Sequence, residues 1–222
     1  MSLSQPLSRA SLSQQIKDRL LSRITSGTLK PGDRLIELKI AAEMETSQAP
    51  VREALKELEA MGVIETLRNK GSRVRMITMD EMRQAYDVRA ELEGFASALA
   101  ATAEGEVSDR LSSCINNMRE AAGDADLLAF ADHDMEFHRT VVDHSGNAVL
   151  LEIWDALSVK MRVMRSVAGD RRDLRALAIS HQDIVDAIAS GDSDAARIAA
   201  RRHVLESRPE LDLQTNVTEN ET

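Results

Sequence analysis

Asp134 and His138 stand four residues apart in "DHDMEFHRTVVDHSGN" (residues 132–147), on the apolar side of a predicted helix that also carries Leu127, Phe130, Ala131, Phe137, Val141 and Val142. Two more histidines share the anomaly. His181 falls on the stripe of Leu174, Leu177, Ile184, Val185 and Ile188, and His203 lies one turn beyond Ala199 and Ala200. An unpaired carboxylate or imidazole is costly to bury, so each of the four needs a partner. One arrangement serves all of them: three helices bring Asp134, His138, His181 and His203 together around a divalent cation. Imidazole and carboxylate ligands suit Zn, Ni, Mn or Fe, and four protein ligands in an octahedral site leave two positions open for a small ligand. The alternatives are histidines hydrogen-bonded singly within a core, or a plain i,i+4 pair of Asp134 and His138. His133 and His144 fall on other faces and read as surface residues. Asn147 is either a helix N-cap or a donor beside the ligand, and Arg89, in "DVRAELEGFASALAA", sits on a helix that could face the same cavity.

A second group of residues points to a polyanion. Ser47, Gln48, Ala49 and Arg52 occupy the first turn of a predicted helix that has Ser47 at its cap and Pro50 where a missing N–H does no harm. A helix that enters the DNA major groove does so by such a turn, while guanidinium groups, hydroxyls and helix-end amides hold phosphates. Arg34, ahead of the preceding helix, and Lys70, Gly71, Ser72 and Arg73 in a glycine turn are the next candidates for backbone or minor-groove contact.

The elements that must position these groups are legible from periodicity. Leu12, Ile16, Leu20 and Ile24 predict a first helix ending near Gly27, "LKPGDRL" a turn, "IELKIAAEME" a short second helix, and "VREALKELEAMG" the body of the third. "VIETLR" and "SRVRM" alternate about "NKG" as a β-hairpin. Three helices followed by a hairpin predict a winged helix-turn-helix over residues 1–77. Thr78 and Glu81 then form a capping box, and breaks near "EGEV", "AGDAD", "HSGN", "AGDRRD" and "SGDSD" divide residues 79–208 into about six helices. The fold class is thus mainly α, a winged helix-turn-helix followed by an antiparallel all-α bundle over residues 78–208. The polar tail 209–222 is expected to be disordered.

Charge follows the same division. The net charge of −9 looks wrong for a DNA binder, yet residues 1–77 hold 13 Lys+Arg against 9 Asp+Glu, net +4, and residues 78–222 hold 15 against 28, net −13. Only the first part is expected to meet nucleic acid. The single Cys114 precludes an internal disulfide, and no apolar run approaches the roughly 20 residues of a membrane span, so a cytoplasmic protein without a membrane partner is expected.

The segment "GTLKPGDRLIELKIAAEMETSQAPVREALKELEAMGVIETLRNKGSRV" resembles the DNA-binding domain of GntR-type bacterial regulators, with the P-G-D-R-L and P-V-R-E-A-L blocks in order and spacing. The resemblance implies a homodimer on a short inverted repeat of double-stranded operator DNA, with Arg34, Arg52 and Gly71 at DNA-contacting positions. Gln48 and Ala49 depart from the Arg and Thr usual there, which changes the operator expected, since Arg pairs with guanine and Gln with adenine. Beyond residue 78, "DMEFH", "HSGN" and "HQDIVDAIASGDSDAARIAARRH" resemble the FCD effector domain of the FadR branch. That likeness implies Asp134, His138, His181 and His203 as metal ligands, and Arg89 and Asn147 as effector-binding residues for a small organic acid. The expected function is a metabolite-responsive repressor rather than an enzyme. Two rivals stay open: a metal-dependent hydrolase, which would lack an obvious general base and leave the winged helix idle, and a DNA-binding regulator whose metal is only structural.

Overall fold

The computed structural model describes residues 11–68, 71–168 and 173–208. The expected tail 209–222 and the wing residue Lys70 therefore lie outside the described residues. The chain divides into two compact units, residues 1–77 and 78–222, each with its own core.

In the first unit α1 (Leu12–Thr25) is capped by Ser11, whose hydroxyl accepts from the Gln14 amide. Ile16, Leu20 and Ile24 are buried, but Leu12 is exposed because it is the first helical residue, short of the turns that pack. A two-residue strand β1 (Arg34–Leu35) precedes α2 (Glu37–Glu43) and α3 (Gln48–Ala60), and β2 (Ile64–Leu67) and β3 (Gly71–Val74) form the hairpin. The sheet order is β1-β3-β2, all antiparallel, with Arg34 opposite Arg73 and Leu67 opposite Gly71. Strand β1 was not visible in the sequence, since two residues are too few to show alternation. Ser47 holds the N-cap position of α3 with extended backbone, but its side chain makes no capping hydrogen bond. Val51, Ala54, Leu55 and Leu58 bury one face of α3, which packs against α1, while the opposite face stays in solvent.

The second unit contains seven helices among the described residues: α4 (Met79–Ala100), α5 (Ser108–Gly123), α6 (Leu127–His144), α7 (Ala148–Ala168), α8 (Leu174–Ser180), α9 (Gln182–Ala189) and α10 (Ser193–Glu206). The Thr78–Glu81 capping box is formed in full. Three "Asp" breaks work alike, since Asp126, Asp173 and Asp192 each accept from two backbone amides at the start of a helix. The expectation of about six helices falls short by one at His181. There the Leu177 carbonyl accepts from the Ser180 hydroxyl at 2.8 Å and the His181 ring Nδ1 at 2.8 Å, so side chains occupy an acceptor the backbone ladder would use, and α8 stops where α9 begins.

α4 packs chiefly on α10, and α5 on α6. Gly94 permits the first contact: a Cβ there would lie 2.5 Å from Arg201 Cγ. The main core gathers Leu111, Ile115, Met118, Phe130, Phe137, Val141 and Ile184, and a second cluster joins Ala96, Val142, Leu150 and Trp154. Leu127 is exposed, again as the first residue of its helix. No described helix is long and apolar enough to cross a membrane.

Candidate metal centre and nucleic-acid interface

Helical period places Asp134 and His138 on the inner face of α6, one turn apart, and both are buried. His181, at the α8–α9 break, is fully buried at 0% exposure, and His203 is buried in the last turn of α10. The three rings converge. Their centroids lie 4.1 Å apart for His181 and His203, and 5.2 Å from His138 to each of the others. One ligand atom from each histidine lies within 4.8 Å of the others, and Asp134 Oδ1 sits 3.4 Å from His181 Nε2 and 3.9 Å from His138 Nε2.

The surroundings decide which ring nitrogen carries the proton. His181 Nδ1 faces the Leu177 carbonyl, which can only accept, so the proton is on Nδ1. Ser180 Oγ donates to that same carbonyl and lies 3.1 Å from His203 Nδ1, so it accepts from a protonated Nδ1 there. His138 Nδ1 lies 2.8 Å from the Glu93 carboxylate, another acceptor. With Nδ1 as the donor, a neutral ring presents its lone pair at Nε2, and all three Nε2 atoms are buried without a hydrogen-bond partner. Three lone pairs beside a carboxylate form a set of acceptors that a bound cation fits, and an outer partner on the far ring nitrogen is how metal-binding histidines are usually held. Burial pushes the His203 pKa well below 6.5, the nearby His181 and His138 adding to the shift. Burial also lowers His138, against the pull of Glu93. Burial thus disfavours the protonated form of these two rings.

Glu93 is the residue that sequence reasoning missed. Its Oε1 accepts from Arg89 Nε at 2.6 Å and from the Trp154 indole at 2.7 Å, while Oε2 faces His138. Burial would raise its pKa, but the Arg89 guanidinium and His138 outweigh that and hold it at about 2. The signal was present in "RAELE": Arg89 and Glu93 stand four apart on a helix, the spacing of a charge pair. Ser180 and Trp154 carried no such signal, because their partners are distant in sequence.

Arg89 is buried at 3% exposure, with its Nη2 lacking a hydrogen-bond partner. Asn147 is at the start of α7, where its Oδ1 accepts from the Leu150 amide at 3.1 Å and its carbonyl from the Leu151 amide. The side chain therefore acts as a cap.

In the first unit, Ser47, Gln48, Ala49 and Arg52 are exposed along the start of α3, and Arg34 is exposed on β1. Gly71 opens β3 with φ +77°, a left-handed conformation that suits glycine. Ser72 Oγ pairs with Thr66 Oγ1 at 3.1 Å, and Arg73 Nε donates to Glu65 at 2.7 Å, so both are tied across the hairpin.

A winged helix-turn-helix followed by an all-α domain defines a single-chain transcription regulator. Residues 12–74 match the bacterial regulatory proteins of the gntR family, and residues 84–206 match the FCD domain. The chain belongs to the GntR family, in the branch that carries an FCD domain. It is 35% identical over 206 residues to the "Probable D-xylose utilization operon transcriptional repressor" of Paenarthrobacter nicotinovorans, a match spanning 93% of this chain and 91% of that protein. It is 32% identical to the gluconate operon transcriptional repressor of Bacillus licheniformis, over 85% of this chain and 80% of that one. Among solved structures, E. coli McbR/YncC aligns with TM-score 0.75 at 23% identity, covering 89% of this chain and 95% of that chain. A GntR regulator from Rhodococcus sp. RHA1 aligns with TM-score 0.77 at 23% identity, covering 89% and 96%. Family and relatives are transcription regulators rather than enzymes.

Proposed function

We propose that the protein is a metal-dependent, metabolite-responsive repressor. It grips a pseudo-palindromic operator as a homodimer and releases it when a small organic acid enters the helical domain. The observation that carries the sensing half is the convergence of three buried Nε2 atoms, none with a hydrogen-bond partner, beside Asp134. Asp134, His138, His181 and His203 would hold a divalent transition metal, which when bound supplies a Lewis-acidic anchor for an anionic ligand.

The protein's own groups do the rest. Glu93, Ser180 and the Leu177 carbonyl keep the three imidazoles aimed and in one tautomer. Arg89, fixed through Nε, has its buried Nη2 left to meet a carboxylate. Asn147, whose Oδ1 caps α7, would offer its side-chain N–H groups to the same ligand. Relatives named as repressors of D-xylose and gluconate operons support repression, and a sugar acid is a small carboxylate of the kind Arg89 would pair. In the first unit, Ser47, Gln48, Ala49 and Arg52 would enter the major groove, with Arg34 and the wing residues Lys70, Gly71, Ser72 and Arg73 along the backbone or minor groove. Effector binding must differ in strength between DNA-competent and DNA-incompetent states to shift their balance.

Elemental analysis of protein purified without chelator tests the centre. Wild type should carry a transition metal near one equivalent per chain, and His203→Ala and Asp134→Ala should lose most of it while keeping wild-type helicity. Full occupancy in both variants would show the ligand set is wrong. A panel of small organic acids in a thermal-shift assay tests the sensor, since a ligand at about 100 times its Kd adds roughly 2.7 kcal/mol of stability. A regulator with a purely structural metal gives no shift with any of them.

A further inference from the structure

The exposed face of α3 carries an arginine that is already paired. Arg52 donates through Nε to both carboxylate oxygens of Glu37, at 3.2 Å each, and through Nη2 to Oε2 at 2.8 Å. Glu37 opens α2, so the pair links the two helices of the helix-turn-helix across 15 positions of sequence. The pairing uses one edge of the guanidinium, Nε with Nη2, and leaves Nη1 and the outer edge beyond it.

Two physical consequences follow. The bidentate pair biases the guanidinium plane toward one orientation before any DNA arrives, which removes part of the rotamer freedom of a long side chain. The adjacent carboxylate also cancels the charge locally, so Arg52 is a weak point charge for phosphate but still a directional pair of N–H donors. A neutral pair of acceptors suits such a fork better than an anionic oxygen does, and in the major groove guanine O6 with N7 is that pair. Arg34, exposed on β1, has no carboxylate partner among the described residues and keeps its full charge for the backbone.

Resting on the DNA-reading role of this unit, we propose that Glu37 is a specificity-determining positioning residue: it holds Arg52 to read a guanine edge and restrains it from gripping phosphate indiscriminately. Glu37 need not touch DNA to do so. Its carboxylate in fact repels the duplex, so removing it should help binding wherever sequence does not matter and harm discrimination where it does.

The test uses the full chain and two duplexes of equal length, one enriched from a random-sequence pool by the wild-type protein and one scrambled. Affinities for both are measured over a range of KCl for wild type, Glu37→Gln, Glu37→Ala, Arg52→Ala and the double variant Glu37→Ala/Arg52→Ala. With Glu37 replaced, the scrambled duplex should bind more tightly and with a log–log salt slope steeper by about one. The preference for the enriched duplex should fall about tenfold or more, the scale of one bidentate base contact. In the Arg52→Ala background, Glu37→Ala should change that preference no further. An equal gain on both duplexes would reduce Glu37 to a surface charge and overturn the proposal, as would a Glu37→Ala effect of the same size with Arg52 absent. Failure of wild type to enrich any sequence would instead refute the DNA-reading role on which the proposal rests.

Discussion

Glu93 joins three buried partners in the helical domain. One carboxylate engages Arg89, Trp154 and His138, all buried. Glu93→Ala would leave the Arg89 guanidinium enclosed without its counter-charge, a change worth about 3–5 kcal/mol. Urea denaturation should show that loss, and metal content should fall with it because His138 loses its outer partner. His138 and His203 make stability depend on pH. His138 and His203 have folded pKa values below the ordinary 6.5, so as pH falls the unfolded chain takes up protons first. Their contribution to stability is complete above 6.5 and declines below it. Glu93, held at about 2 against an ordinary 4.5, adds a loss of its own only as pH falls below 4.5. Chelator-treated protein titrated from about pH 7.5 to about pH 5.5 should lose stability across that range. A flat profile would mean the two rings are solvated. These residues were only partly legible in the sequence. The four candidate ligands stood out because each broke an apolar stripe, whereas Trp154 and Ser180 look like ordinary core and helix-surface residues until the chain folds.

At the scale of elements, the helices were readable where periodicity ran for three turns or more, and their ends were readable wherever Asp, Ser or Thr capped them. Strand β1 was too short to show a period, and the α8–α9 break was hidden because nothing in the apolar pattern interrupts at residue 181. The turn between α2 and α3 holds a correctable strain. Glu45 has φ +51°, a left-handed conformation that costs an L-residue roughly 1–2 kcal/mol. Glu45→Gly should raise the stability of the winged unit by up to about that amount, less the entropy glycine gains on unfolding. A thermal melt that moves down would show that the Glu45 side chain makes a compensating contact. The cap at Asp192 gives a prediction of opposite sign. Asp192→Ala removes the acceptor for the Asp194 and Ala195 amides and should cost about 1 kcal/mol, read by denaturation of the whole chain.

For the whole molecule, the separation into two units with separate cores matches the separation of charge, +4 over residues 1–77 and −13 over residues 78–222. Each unit should therefore respond to its own chemistry. Chelation should lower the melting temperature of the helical unit and leave that of the winged unit unchanged in calorimetry, while moderate salt should weaken DNA binding without releasing metal. The carbonyl that interrupts the helix at residue 181 is the same atom that orients His181 directly and His203 through Ser180. A continuous rod through that point would reclaim the oxygen for its own ladder and set both rings loose. Straightening the joint and keeping both rings aimed are thus competing uses of one acceptor. Under the proposed function, a cation held by the three nitrogens would also keep the rod broken.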